Sequence, residues 1–337
     1  MFDQAGPVAI APAFLMDVPI EIVLPPALLP IAKIVGHIVP SALYQKTFFI
    51  GSPCSDEGMV GMLPGTNHLA VYRCVNKAMQ VKADELKASM RVWKDFPPSS
   101  DADFSALQKS DRLFRLVSYP GTTVRFSGKT KEDYLASLKS SRRNKLKKKL
   151  KLAGSSPIDV EMVHQPDALL LDEIFSLFCQ TYDKSKTRFE KLNRKFFEII
   201  GRNPFAHFIV LRERQAGSVV AFMLCFILGD HVINKFIGID YRKPKEWFLY
   251  FRLWDAVVDW SLSQGAKSIQ SGQTGYAPKI EIGNELVPLT NYCAHSNSFV
   301  QAIYACVAKM VNWETLDADL AVYLEAYPQL RPRGKEG

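Results

Sequence analysis

The feature that most constrains this chain is the order of element-length patterns between residues 158 and 271. A strand-like run at 158–163 is followed by two stretches of helical periodicity, at 167–182 and 191–202. Three strand-like runs come next, at 207–212, 218–228 and 232–239. Arg214-Gln215-Ala216-Gly217 joins the first two, and Gly229-Asp230, a two-residue hairpin signal, joins the last two. A helical stretch at 246–264 ends at Gly265, a good C-cap, and a short strand is expected at 267–271. Three antiparallel strands followed by one helical crossover require a mixed sheet. After a Gly-rich loop, a strand near 286–294 and a helix at 299–312 close the pattern.

The first 126 residues read as mixed α/β, with no sequence repeat. Strand-like runs fall at 20–24, 47–50, 69–75 and 113–118, and helical periodicity at 83–92 and 103–110. A helix is then expected from Thr130, with Asp133 completing a capping box, as far as Gly154 and Pro157. Leu135, Leu138, Leu146 and Leu150 give it an apolar stripe. Between Lys139 and Lys151 it carries eight basic residues and no acidic one. The whole chain has a net charge of +8, so the excess is concentrated here, as suits an anionic partner. The expected organisation is a first domain over 1–126, a second over 127–315 opened by the basic helix, and a tail over 316–337.

Composition excludes a largely disordered chain: 47% of residues are hydrophobic and 23% charged. Residues 7–40 are apolar, but seven prolines interrupt them, Asp17, Glu21 and Lys33 add charge, and no basic segment precedes them. The stretch is poor for a spanning helix and does not read as a signal peptide, and extended core structure is the favoured reading. A lipid-facing patch over 24–38 is the alternative. The six cysteines form no C-x-x-C pair and no zinc spacing, so no metal is expected. They read as small buried hydrophobes in a reducing cytoplasm.

Two segments carry a family resemblance. Tyr134-Leu-Ala-Ser-Leu-Lys-Ser-Ser-Arg-Arg143-Asn-Lys-Leu-Lys-Lys-Lys resembles the basic helix that opens the GNAT domain of Fem-like proteins. Gly272-Gln273-Thr-Gly-Tyr276-Ala-Pro-Lys279-Ile-Glu-Ile-Gly283 is similar to their late G-x-x-x-Y-x-x-K-x-x-x-G segment. The resemblance implies a GNAT fold in two tandem lobes, the first degenerate. It also implies transfer of an acyl or aminoacyl group to an amine from a thioester or aminoacyl-tRNA. One departure stands out. Where many GNAT enzymes hold a pyrophosphate on a Gly-rich turn, this chain reads Ile239-Asp-Tyr-Arg242-Lys243-Pro-Lys245-Glu246-Trp247. Arg242, Lys243 and Lys245 are therefore candidate donor-phosphate contacts, with Arg143 of the basic helix.

Acyl transfer needs a polarised carbonyl, a deprotonated amine, a stabilised leaving group and aligned substrates. The resemblance places the donor where the fourth and fifth strands splay, so a backbone N–H at Gly238 or Ile239 is the candidate carbonyl donor. Tyr276 is the candidate acid, because a phenol with a pKa near ~10 is protonated at neutral pH. Lys279 is the candidate anchor for a phosphate or acceptor anion. Asp240 is the candidate base. Tyr182 and Lys184, in the polar run 180–188, and Gln270 and Gln273, beside the Gly272 turn, are candidate acceptor contacts. Asp230 and His231 are read as structural.

The expected activity is that of an N-acyltransferase moving a non-aminoacyl group from acyl-CoA or acyl-carrier protein to a primary amine. No permanently bound cofactor is expected. The apolar N-terminal region and the aromatic run 247–251 favour a long-chain or lipid amine; a secondary-metabolite amine is the other option. A carrier protein docking on 139–151 or an anionic membrane surface would explain the basic helix. Such a protein would be cytoplasmic, or peripheral at the inner face of the membrane. The alternatives are a tRNA-dependent aminoacyl transferase, with few aromatics beside the basic run to stack on RNA, and a non-catalytic binding protein.

Overall fold

The computed structural model describes residues 1–3, 6–19, 43–185 and 191–331, with positions 30 and 34. The expected strand at 20–24 and most of the 24–38 patch lie outside the described residues, as do 186–188 of the polar run. Two compact units emerge: Met1–Gly121 with Val287–Gly337, and Thr122–Leu286. This division differs from the expected one at 126 and 315, because residues 287–315 belong to the first unit.

In the first unit β1 (Ala13–Pro19), β2 (Tyr44–Ile50), β3 (Met90–Phe96) and β4 (Phe114–Val117) accompany α1 (His68–Glu85) and α2 (Asp101–Asp111). The run at 69–75, expected as a strand, is the start of α1. Asn67 caps it by accepting from the Ala70 N–H, and Val71, Tyr72, Asn76, Met79 and Ala83 are buried at helical spacing. The helix expected at 83–92 is instead the end of α1 and the start of β3.

The second unit contains β5 (Gly121–Arg125), α3 (Lys131–Ser137), α4 (Ser140–Ala153), β6 (Ile158–Val163), α5 (Ala168–Lys184), α6 (Arg194–Gly201), β7 (Ala206–Glu213), β8 (Val219–Leu228), β9 (His231–Ile239), α7 (Leu249–Ser263), β10 (Ser268–Gln270), α8 (Tyr276–Glu281) and β11 (Glu285–Val287). The chain then returns to the first unit with β12 (Thr290–His295), α9 (Ser298–Ala308), α10 (Trp313–Leu316) and α11 (Ala318–Ala326). The single strand expected near 286–294 is thus two strands in two sheets. Pro288 separates them, since it cannot donate to a ladder. The expected tail contains α11, whose Leu320 and Leu324 are buried.

The sheet of the first unit runs β1-β2-β3-β12-β4, and that of the second β6-β7-β8-β9-β10-β5-β11. Each contains a parallel pair: β2 with β3, and β9 with β10. The mixed sheet expected from the strand order is therefore present in both units. In the second, α5 and α6 pack through Ile174, Leu177, Phe178 and Phe197 on one face. The other face is covered by α7, through Leu253, Trp254, Val257 and Val258.

The expected basic helix is two helices. Thr130 and Asp133 form the capping box at the start of α3, but Leu138 and Lys139 adopt extended backbone. The extended Leu138 is buried, and its side chain occupies the space that a Cβ at Gly283 would take. The cysteine expectation also needs correction. Cys225 and Cys293 are buried, whereas Cys74 and Cys306 are exposed. Among the described residues no helix is long and apolar enough to cross a membrane.

Candidate active site

The two parallel pairs differ in how they end. In the first unit β2 stays in register with β3 to its last residue, Ile50↔Trp93. In the second, β9 pairs with β10 only through His231↔Ser268, Val232↔Ile269 and Ile233↔Gln270. Beyond Ile233, β9 continues to Ile239 with β8 on one side only. A cleft therefore opens along residues 234–239, at the C-terminal end of β9. The register against β8 shifts between Leu224↔Phe236 and Cys225↔Asn234, which makes Lys235 a bulge residue. The bulge bends β9 at the point where it leaves β10.

The carbonyl-donor candidates face different ways. Alternate N–H groups of a strand point to opposite neighbours. The Asp240 N–H donates to Val220 O of β8, and the Ile239 N–H points away from β8, to Thr181 Oγ1 at 3.0 Å. By the same alternation the Gly238 N–H faces β8, which corrects its expected role. Gly238 is needed for packing instead: a Cβ there would lie 2.4 Å from Phe222 Cε1 and 2.7 Å from the Leu177 backbone. Sequence reasoning missed Thr181, although it belongs to the polar run that breaks the apolar pattern of α5.

Asp240 is nearly buried and takes a two-pronged contact from Arg242, Nε to Oδ1 at 2.8 Å and Nη2 to Oδ2 at 2.9 Å. The guanidinium holds the Asp240 carboxyl below the usual carboxylate range. That weakens it as a base and commits Arg242 to it, a correction to both expected roles. Lys243 pairs with Glu213 at 2.5 Å, and Lys245 is exposed on the short turn before α7. Phe248 takes a left-handed conformation (φ 45°) to enter α7. The aromatic run 247–251, expected at a lipophilic substrate, packs on the core cluster under α7.

The late motif forms a loop and a short helix. Gly272, Thr274 and Gly275 all have positive φ, which turns the chain from β10 into α8. Tyr276 is the first residue of α8 and is fully buried. Lys279 Nζ donates to the carbonyls of Gly272 and Gln273, at 3.3 and 3.1 Å. This ammonium therefore staples the loop to α8, which corrects its expected role as a phosphate anchor. Gln270 Oε1 meets His231 Nε2 at 3.1 Å, so its side chain turns back along the paired part of β9.

The two segments that carry the resemblance meet. Tyr134 OH donates to Ile282 O at 2.6 Å and accepts from Trp254 Nε1 at 2.8 Å. Lys149 Nζ binds both Glu281 carboxylate oxygens, at 2.7 and 2.8 Å, and lies 3.9 Å from the Phe251 ring centroid. Arg143 donates to Ala136 O at 3.2 Å, closing the end of α3 rather than facing solvent freely. Lys145, Lys147, Lys148 and Lys151 remain exposed on α4, and Lys139 is exposed at its N-cap. The acceptor candidates at the end of α5 lie beside the cleft strand: Lys184 Nζ sits 3.5 Å from the Tyr241 ring centroid, and Tyr182 packs on Phe178.

The FemAB-like family model, described as peptidoglycan biosynthesis/recognition, matches residues 107–321. No curated protein sequence matches the chain. Among solved structures, the C-terminal domain of a protein assigned as a lysylphosphatidylglycerol synthetase from Agrobacterium fabrum aligns with a TM-score of 0.58 at 12% identity, over 92% of this chain and 86% of that one. L-PGS from Bacillus licheniformis aligns at 0.54 and 11%, over 78% and 82%. FemX aligns at 0.54 and 12%, over 77% and 87%. These likenesses are ones of fold.

Proposed function

We propose that this chain, which belongs to the FemAB-like family of GNAT-fold acyl and aminoacyl transferases, joins an acyl group to a primary amine in the cleft between β9 and β10. The observation that carries this reading is the parting of the parallel pair after Ile233↔Gln270, which leaves six residues of β9 past its partner against three of β3, 94–96, past Ile50 in the first unit. Six strand residues beyond it, 234–239, are left with one free edge. An extended acyl donor can hydrogen-bond to such an edge as an added strand would.

The amine nitrogen attacks the donor carbonyl carbon. A C–N bond forms, the C–S or C–O bond to the carrier breaks, and the amine proton leaves to solvent. Tyr276 protonates the departing thiolate or alkoxide and regains its proton from water. Tyr182 and Lys184 border the amine side.

The leading donor is a thioester on CoA or on a carrier protein. Aminoacyl-tRNA is the second reading, favoured by the exposed lysines of α4, which suit a polyanion. Acyl-CoA, acyl-carrier protein and aminoacyl-tRNA would each be incubated with an amine pool of amino acids, polyamines and long-chain bases. Mass spectrometry would then identify any new amide. One donor class should give product, and Tyr276→Phe should lower turnover more than donor affinity. Absence of product from all three classes refutes the transferase reading.

A further inference from the structure

Thr181 stands at the far end of the open edge of β9. The Ile239 N–H points away from β8, and Thr181 Oγ1 accepts it at 3.0 Å. The hydroxyl oxygen therefore closes the lane that β10 leaves empty past Gln270. The close approach of α5 to β9 puts it there. A Cβ at Gly238 would lie 2.7 Å from the Leu177 backbone, so a side chain at 238 would push the helix off the strand. Thr181 is one turn on from Leu177, on the same face of α5. A threonine hydroxyl both accepts and donates. In a helix its hydrogen often goes to the carbonyl four residues back, here that of Leu177. No such bond forms: among the described residues the Ile239 N–H is the one hydrogen-bond partner of Thr181 Oγ1. The hydroxyl hydrogen is left for a ligand, and Thr181 is half-buried, so a molecule in the lane can reach it.

An extended donor that pairs along residues 234–239 runs out of edge at this hydroxyl. We infer that the Thr181 hydroxyl, and not the Ile239 amide, donates the hydrogen bond that polarises the reacting carbonyl. This rests on the proposed use of the cleft and names the polarising group within it. The amide that would serve a strand-edge donor is already taken by Oγ1, and accepting from that amide strengthens the hydroxyl as a donor in turn. As the amine nitrogen adds to the carbonyl carbon, the carbonyl π pair moves onto its oxygen. Thr181 Oγ1–H bonds to that oxygen and keeps its proton. The pair returns to the carbon as the C–S or C–O bond to the carrier breaks. The bond is strongest while the oxygen is negative, so it stabilises the transition state more than the bound donor.

The test compares Thr181→Val, Thr181→Ala and Thr181→Ser in the full chain, using whichever of acyl-CoA, acyl-carrier protein and aminoacyl-tRNA gives product. Loss of the hydroxyl should lower kcat by about 10²–10³-fold in the Val and Ala variants, while the donor dissociation constant stays nearly unchanged. Thr181→Ser, which keeps the hydroxyl, should keep most of the activity. Infrared spectra of the bound donor, labelled with ¹³C at the reacting carbonyl and recorded without amine, give a readout that a merely structural role would not move. The carbonyl stretch should lie lower with the intact protein and Thr181→Ser than with Thr181→Val. A kcat that holds or rises in Thr181→Val refutes the inference, because that variant frees the Ile239 N–H to serve instead. An identical stretch in the intact protein and Thr181→Val refutes it as well. Should Thr181→Val fail to fold, Thr181→Ala decides on the same two criteria. Product from the intact chain with Thr181→Val unimpaired removes this inference alone; no product from any donor removes the transferase reading and this inference with it.

Discussion

Replacing Tyr134 by Phe removes one oxygen atom and should unfasten the late motif from the core. Tyr134 is 3% exposed and Trp254 1%. The hydroxyl serves both neighbours: it donates to Ile282 O at 2.6 Å and accepts from Trp254 Nε1 at 2.8 Å. Phe leaves a buried indole N–H and a buried carbonyl unbonded. Each costs about 1–3 kcal/mol, and removing the phenol's own desolvation offsets part of that. A net loss of roughly 2–4 kcal/mol follows, which at about 2–4 °C per kcal/mol lowers the melting temperature by roughly 4–16 °C. Thermal unfolding followed by circular dichroism would measure it. The double variant Tyr134→Phe/Trp254→Phe should be less damaging than the sum of the singles, because the stranded indole N–H is gone. Strict additivity, or a shift below about 1 °C for the single variant, would refute the bridging role. Ile282 directly follows α8, which begins at Tyr276, so turnover should fall with stability even though Tyr134 touches no substrate.

Gly283→Ala should destabilise by about 1–3 kcal/mol, since the new Cβ would sit 2.3 Å from Leu138 Cδ2 at a φ of 93°; Leu138→Ala should relieve the contact but not the backbone strain. Asp240→Asn should cost less than about tenfold in kcat, whereas loss of a true general base costs 10²–10⁴-fold; a loss in that higher range would restore Asp240 as the base. Reversing Lys145, Lys147, Lys148 and Lys151 to Glu should weaken donor binding and flatten its dependence on salt, without altering the melting curve. Burial and the neighbouring His164 hold the His207 imidazole below its usual pKa. The unfolded chain therefore takes up this proton first, so stability should be lost as the pH falls through about 6.5 and below, and His207→Gln should flatten that part of the pH–stability curve.

The sequence made the second unit legible because its signals are local. The hairpin at Gly229-Asp230, the cap at Thr130 and the length of each apolar run depend on a few adjacent residues, and strands β6 to β9 fall within two residues of their expected bounds. What was not legible depends on partners far along the chain. β5 was not expected as a strand at all, because its five residues pair with segments well over a hundred positions away, including Ser268–Gln270. β12 was expected to continue the second domain, yet it enters the sheet of the first between β3 and β4. Each unit thus takes a strand from beyond its expected boundary, and no local pattern records that.

The site divides along the same line. Residue types were readable, so Tyr276, Lys279 and Asp240 were singled out from their motifs. Their engagements were not, because Arg242 on Asp240, the Gly272 and Gln273 carbonyls on Lys279, and Thr181 on Ile239 are set by where turns place side chains. The cleft itself comes from a mismatch in length. β10 is three residues long and β9 is nine, so six residues of β9 extend past their partner. The Lys235 bulge bends β9 at that same point, and Gly272 carries the chain away from β10 with a positive φ. In the first unit β3 runs only three residues past Ile50, and the Gly58 N–H already donates to the Asp95 carbonyl there. The two parallel pairs thus end differently: the overhang of β9 is twice as long as that of β3, and a loop already bonds to the latter.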